Sequence, residues 1–184
     1  MKTLIFNGSP RKNGDTIALI NILKNEFGGE INRIDTYYSD IQPCIDCRYC
    51  WTHNGCAIKD EMQHVFSLID EADNIVIASP IYFSELSGSL LSVLSRLQYL
   101  YISKQFRGED ILSKKKRNGI IILTGGGDGS PQKAVETATC LLHHMKADVI
   151  STVCSHNTNT ILAKDDKKAT TEIKAIAERI FSYD

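Results

Sequence analysis

Four of the six cysteines in the chain crowd into thirteen residues, spaced Cys44-x2-Cys47-x2-Cys50-x5-Cys56. Thiolates are soft donors. Three of them at two-residue gaps can wrap one corner of an iron–sulfur cubane, and a fourth nearby can close it. The bacterial ferredoxin run has a shorter last gap, a following Pro and a fourth Cys that serves another cluster. Four thiolates also suit a structural zinc ion, and without metal the same residues are free or redox-active thiols. The spacing leaves all three chemistries open. Cys140 and Cys154 fall in a helical and a strand-like stretch and read as buried fillers.

A second group of residues reads as an anion cradle. The apolar run Leu4-Ile5-Phe6 breaks into Gly8-Ser9-Pro10-Arg11-Lys12-Asn13-Gly14-Asp15-Thr16, after which a helix begins. The first turn of a helix has unpaired N–H groups and a partial positive charge, so an anion is favoured there. Ser9, Asn13 and Thr16 add side-chain donors, and Arg11 adds a fork that matches phosphate oxygens. The loop lacks the Gly-x4-Gly-Lys-Ser/Thr of nucleoside-triphosphate sites and the G-x-G-x-x-G of dinucleotide sites. What remains suits one terminal monophosphate, and flavin mononucleotide (FMN) is the natural candidate.

Two further loops could complete such a site. Ser79-Pro80-Ile81-Tyr82-Phe83-Ser84 fixes the backbone with a Pro ahead of two aromatics that can wall a flat ring. Thr124-Gly125-Gly126-Gly127-Asp128-Gly129-Ser130 lets backbone approach a ligand closely. The same aromatics would also serve as core or interface residues. The same glycines would also serve as a flexible turn before the helix that Pro131 starts.

The elements that must position these loops follow from apolar periodicity. Strands are expected at Met1–Asn7, Glu30–Thr36, Asn74–Ser79, Arg117–Thr124 and Val149–Cys154. Helices are expected at Asp15–Phe27, Asp60–Glu71, Leu86–Leu100, Pro131–Lys146 and about Asp165–Ser182. Tyr37–Lys59, which holds the cysteines, has no clear period and is a connection long enough to be functional. Strands alternating with helices argue for an α/β fold with a parallel sheet covered on both faces. In such a sheet, ligands bind at the carboxyl ends of the strands. The loops after the first, third and fourth strands all lie there.

The 184 residues suit a single domain, 1–184, with the cysteine insert at about 37–59. A net charge of -1 argues against a nucleic-acid or membrane surface. The apolar runs are too short for a signal-peptide core or a membrane span, so the expected location is cytoplasmic, where disulfide frameworks are rare. Lys114-Lys115-Lys116-Arg117 reads as a solvated run at the amino edge of the sheet. His143 and His144 are adjacent helix positions that do not share a face. Trp51 and His53 lie in the insert, where they could cover a flavin or a cluster.

Taken together, these motifs resemble the flavodoxin-like NAD(P)H-dependent FMN reductases, and the cysteine spacing is similar to their iron–sulfur flavoprotein branch. Gly8–Thr16 looks like the phosphate loop of that family, Ser79–Phe83 its ring loop and Pro43–Met62 its cysteine-containing insert. The resemblance implies a flavodoxin-like three-layer sandwich with a five-stranded parallel sheet of order 2-1-3-4-5. It implies that Ser9, Arg11, Asn13 and Thr16 hold the phosphate of FMN. Pro80, Ile81, Tyr82 and Phe83 would hold the ring, helped by Thr124, Gly125, Gly126 and Gly127. Asp15 departs from the Asn expected there, and a carboxylate beside a phosphate dianion is unfavourable, so Asp15 is expected to cap the helix facing away.

The activity implied is FMN-dependent oxidoreduction, moving electrons from NAD(P)H to a flavin, quinone or similar acceptor, with no side chain acting as acid or nucleophile. The alternative is an electron carrier with a [4Fe–4S] cluster on Cys44, Cys47, Cys50 and Cys56 beside FMN, reduced by a ferredoxin and passing electrons to a protein acceptor. A third reading is a zinc-stabilised binding protein. The family also implies a homodimer or dimer of dimers, packed through the Leu86–Leu100 helix.

Overall fold

A computed structural model describes residues 1–181. Five strands form one all-parallel sheet of order 2-1-3-4-5: β1 (Lys2–Asn7), β2 (Glu30–Asp35), β3 (Asn74–Pro80), β4 (Arg117–Thr124) and β5 (Ala147–Ser155). The helices are α1 (Asp15–Glu26), α2 (Tyr49–Thr52), α3 (Met62–Glu71), α4 (Gly88–Leu94), α5 (Gln98–Arg107), α6 (Gln132–His144) and α7 (Lys167–Phe181). This is the expected flavodoxin-like three-layer arrangement. No helix among the described residues is long and apolar enough to cross a membrane.

Side-chain alternation splits the core between the two faces of the sheet. Leu4, Phe6, Ile75, Ile77, Ile121 and Leu123 point to one face, where α3, α4, α5 and α6 pack. Ile5, Val76, Ala78, Ile120, Ile122 and Val153 point to the other, where α1 and α7 pack. β3 and β4 are apolar on both faces because both faces are covered, whereas β2 at the edge is only partly buried.

The expected Leu86–Leu100 helix is two helices joined by a 3₁₀ turn at Ser95–Leu97, and it runs on to Arg107. The Ser95 hydroxyl donates to the Ser92 carbonyl (2.6 Å) and accepts the Cys44 N–H (2.9 Å), competing with the helical ladder. The expected end of the last helix at Ser182 lies outside the described residues. Cys140 is exposed rather than buried, because it sits on the solvent side of α6. The basic run is not wholly solvated. Arg117 is buried and pairs with Asp70 (2.8 Å), while Lys115 pairs with Asp73 (2.5 Å). Arg117 begins a central strand, so its stem must pass under α3, whose final carbonyls of Ile69 and Asp70 it caps.

Candidate functional site

At the carboxyl edge of the sheet, the loops after β1, β3, β4 and β5 close on one cavity of about 160 Å3. Ser9, Arg11 and Thr16 come from the loop after β1, Pro80, Ile81 and Tyr82 from the loop after β3, and Thr124 and Gly126 from the end of β4. That volume is below the roughly 300–1,000 Å3 that encloses whole small-molecule ligands. It has room for a phosphate and the chain leading from it. Anything flat must lie outward, over the half-exposed Tyr82.

The β1 loop is locally braced. The Ser9 N–H donates to Asn7 Oδ1 (3.1 Å), and the Ser9 hydroxyl accepts the Arg11 N–H (3.2 Å). Gly14 is the N-cap of α1, and no side chain caps that end, so its N–H groups remain available. A Cβ on Gly14 would meet the Arg11 stem at 2.9 Å. Gly14 is therefore the space through which Arg11 folds back over the helix start. Asp15 does not cap α1. Its carboxylate accepts the Ala163 N–H (2.8 Å), because the chain before α7 passes over the first turn of α1 and offers a donor there.

The β3 loop is held at both ends. The Ile81 N–H donates to the Thr124 carbonyl (2.8 Å), and Ser79 Oγ accepts the Ser87 N–H (3.0 Å). Between them Tyr82 and Glu85 exchange backbone hydrogen bonds across a turn. The two central residues of that turn, Phe83 and Ser84, have φ of 52° and 64°, without a glycine. Such a turn costs of order 1–3 kcal/mol per residue and persists because Glu85 is tied to Thr137 on α6 (3.0 Å). Phe83 is fully exposed and does not line the cavity; neither do Asn13, Gly125 and Gly127.

Two lining residues were not anticipated, Thr158 and Asn159. They follow β5, where the Thr158 N–H donates to the Gly125 carbonyl (3.0 Å) and Asn159 packs where a Cβ of Gly126 would stand. The signal was the polar run His156-Asn157-Thr158-Asn159-Thr160 after a strand, at the same carboxyl edge as the other loops.

The cysteines form a separate site. Cys44, Cys47, Cys50 and Cys56 all line one cavity of about 360 Å3, walled by Trp51 and Tyr99. Each gap between them contains a left-handed residue: Asp46 (φ 49°), Arg48 (φ 60°) and Gly55 (φ 93°). These turns coil the chain so that all four cysteines line the same cavity. Burial pushes the Cys50 thiol above its ordinary pKa; a backbone hydrogen bond offsets part of this, and Cys56, Cys44 and Cys47 raise it further. Donor chemistry and chain path fit a thiolate-held group, although among the described residues no three His, Cys, Asp or Glu side chains already converge as a metal site.

Both ends of the insert are clamped by one side chain. Arg96, 1% exposed, donates to Asp60 Oδ2 (2.7 Å), the Gln42 carbonyl (2.9 Å) and the Ile58 carbonyl (3.2 Å). Burial raises the Asp60 carboxyl, but the Arg96 hydrogen bond, the N–H groups of Gln42 and Met62 and the Arg96 charge outweigh it, so its pKa is lowered. An Arg inside an apolar helix was the available signal for this clamp. Trp51 stacks on Phe106 of α5 (4.1 Å between centroids), and His53 stacks on Tyr49 (4.3 Å). Trp51 therefore covers the thiol cavity and His53 does not.

Comparison with known proteins places this arrangement in context. A sequence model described as NADPH-dependent FMN reductase matches residues 1–160. An iron–sulfur flavoprotein of Methanocaldococcus jannaschii is 33% identical over 125 residues, covering 65% of this chain and 65%, just under two thirds, of that protein. An iron–sulfur flavoprotein of Archaeoglobus fulgidus is 28% identical over 167 residues, covering 78% of this chain and 86% of that one. The solved NAD(P)H:quinone oxidoreductase of Methanothermobacter marburgensis superposes with a TM-score of 0.69 over 98% of this chain and 96% of that one. At 9% identity, that superposition establishes the shared fold alone.

Proposed function

The chain belongs to the NADPH-dependent FMN reductase family, and from that premise we propose how its two sites divide the work of an FMN-dependent oxidoreductase. The observation that carries the reading is the cavity shared by Ser9, Arg11 and Thr16 with Pro80, Ile81, Tyr82 and Thr124. The free N–H groups of α1, the Arg11 fork and the Ser9 and Thr16 hydroxyls would hold the phosphate of FMN, without Asn13, which does not line the cavity. Pro80, Ile81 and Tyr82 would wall the ring, and Thr124 and Gly126 would leave its edge within reach of backbone N–H groups, with Phe83, Gly125 and Gly127 outside the cavity. When bound, the flavin supplies hydride and electron transfer. The protein orients it, excludes water from its phosphate end and leaves its outer face open to NAD(P)H and to a flavin, quinone or similar acceptor.

A second reading is favoured by the one cavity that Cys44, Cys47, Cys50 and Cys56 all line, and by the names of the two relatives. In it, the four thiols hold a [4Fe–4S] cluster, Trp51 shields it, and the chain acts as an electron carrier taking electrons from a ferredoxin. A cytoplasmic setting, which keeps thiols reduced, suits both readings. A homodimer or dimer of dimers suits them too, since Phe83 stands fully exposed at the rim of the flavin cavity.

One experiment separates these readings. Protein purified anaerobically is assayed for flavin, iron, sulfide and zinc, then mixed with NADPH in a stopped-flow spectrometer. Bound FMN, bleached by NADPH on a catalytic timescale, supports the reductase. Flavin with about four iron and four sulfide per chain, bleached only by a reduced ferredoxin, supports the carrier. Zinc without flavin defeats both.

A further inference from the structure

We infer that the crevice beside the flavin phosphate loop, between the carboxyl ends of β1 and β2, binds an adenosine 2′-phosphate, the group that distinguishes NADPH from NADH. The inference rests on the reductase reading for its biological source and on the crevice itself for its chemistry. The crevice has a volume of about 320 Å3 and shares Ser9 and Arg11 with the flavin phosphate cavity. Lys12, Arg33, Asp35 and Tyr38 complete the part of its wall that matters here.

Charge decides what this wall can hold. Three cations, Arg11, Lys12 and Arg33, and a single carboxylate, Asp35, line this wall. With Arg11 given to the flavin phosphate, Lys12 and the N–H groups of Arg33 that Asp35 does not take remain to meet a phosphomonoester, which carries about −1.5 to −2 at neutral pH. Both Asp35 oxygens are already engaged: one accepts Asn7 Nδ2 (2.7 Å) and the other accepts Arg33 Nη2 (2.8 Å). In dinucleotide-binding sheets an acid near this strand end accepts the ribose hydroxyls of NADH, or a nearby Arg takes the 2′-phosphate. Here the acid is spent on aiming the Arg, which leaves the other guanidinium N–H groups of Arg33 to an anion.

The rest of the wall suits a nucleoside. The Tyr38 hydroxyl donates to the Pro10 carbonyl (2.6 Å), which fixes the ring, and the ring is about half exposed. Lys12 Nζ lies 5.0 Å from its centroid and has no ion pair among the described residues, so its charge sits at one end of a stacking surface. The flavin phosphate does not need this crevice, because the α1 N–H groups open into the neighbouring cavity on the other side of Arg11. A dinucleotide anchored here can extend over the phosphate loop toward the open rim at Tyr82.

The test uses FMN-loaded protein and two nucleotides, 2′,5′-ADP and 5′-ADP, titrated calorimetrically, together with steady-state kinetics on NADPH and NADH. The expected result is at least tenfold tighter binding of 2′,5′-ADP. Lys12→Ala and Arg33→Ala are each expected to abolish that preference and lower the NADPH-to-NADH ratio of kcat/KM by at least tenfold, with FMN content retained. Equal binding of the two nucleotides overturns the inference, as does an unaltered ratio in both variants. Loss of FMN from both variants also overturns it, by assigning the crevice to the flavin. Selective binding of 2′,5′-ADP by a protein that neither nicotinamide reduces upholds the site and defeats the reductase reading instead.

Discussion

The hydroxyls of Thr16 and Thr124 lie 2.8 Å apart, buried, although 108 residues separate them in the chain. One belongs to the first turn of α1 and the other to the last residue of β4. The contact ties the loop after β1 to the end of β4, the two elements proposed to hold the phosphate and to border the ring of FMN. Thr16→Val and Thr124→Val each leave the other hydroxyl buried without its partner, so each is expected to cost about 1–3 kcal/mol. The double variant is expected to cost less than the sum, and chemical denaturation of all four proteins completes the cycle. Thr16→Val alone should also weaken FMN, read by flavin fluorescence titration.

Gly14→Ala tests the path of Arg11. The added methyl meets the Arg11 stem, while the Gly14 backbone itself, with φ of -93°, accepts any residue. An N-cap change of this kind costs at most about 1 kcal/mol of stability. FMN affinity is expected to fall by about tenfold, or about 1.4 kcal/mol, because the guanidinium is displaced. Equal affinity in the two proteins would show that Arg11 does not reach the phosphate.

Arg96→Met is expected to cost about 3–5 kcal/mol, because it leaves Asp60 and two carbonyls without their buried cation. Limited proteolysis should then cut first within residues 42–60, the segment whose two ends Arg96 holds. Cleavage elsewhere would mean that the insert is held by Trp51 on Phe106 and by the Arg107 guanidinium on the Cys50 carbonyl.

The same clamp sets an acid limit. The folded Asp60 carboxyl has a pKa below its ordinary value of 3.8. Its contribution to stability is therefore complete above that value and is lost as pH falls through the lowered one. Asp60→Asn should flatten the acid side of the stability profile, measured by thermal melts between about pH 2 and 6. Asp70 behaves in the same direction: burial raises its pKa, but hydrogen bonds from Ser113 and the charges of Arg117 and Lys146 lower it overall. The variant should therefore flatten the profile without abolishing its slope.

The thiol cavity and the phosphate cavity have no lining residue in common. Cys47→Ser is accordingly expected to remove iron and sulfide, where present, while leaving FMN content at the wild-type level. Parallel metal analysis and flavin extraction check this. Joint loss of both would show that the insert and the flavin site fold as one unit.

Much of this protein is determined locally and can be read from the chain alone. The apolar runs of β3 and β4 announce strands buried on both faces, and Gly, Pro and Ser break them at the carboxyl edge of the sheet. The proposed phosphate loop, Gly8–Thr16, is contiguous, so its donors and its helix start are legible together. The coil of thiols is likewise encoded within thirteen residues. The tertiary structure alone decides which distant residues finish each site. Sheet register sets Thr124 against Thr16, brings Thr158 and Asn159 to a cavity begun at Ser9, and places Arg33 beside Lys12. The 3₁₀ turn between α4 and α5 supplies Arg96 to both ends of the insert. These contacts leave only weak traces in local pattern, because hydrogen bonds and charge pairs between elements depend on how whole strands and helices dock. That docking is selected by burial of the two apolar faces, not by the polar residues that end up together.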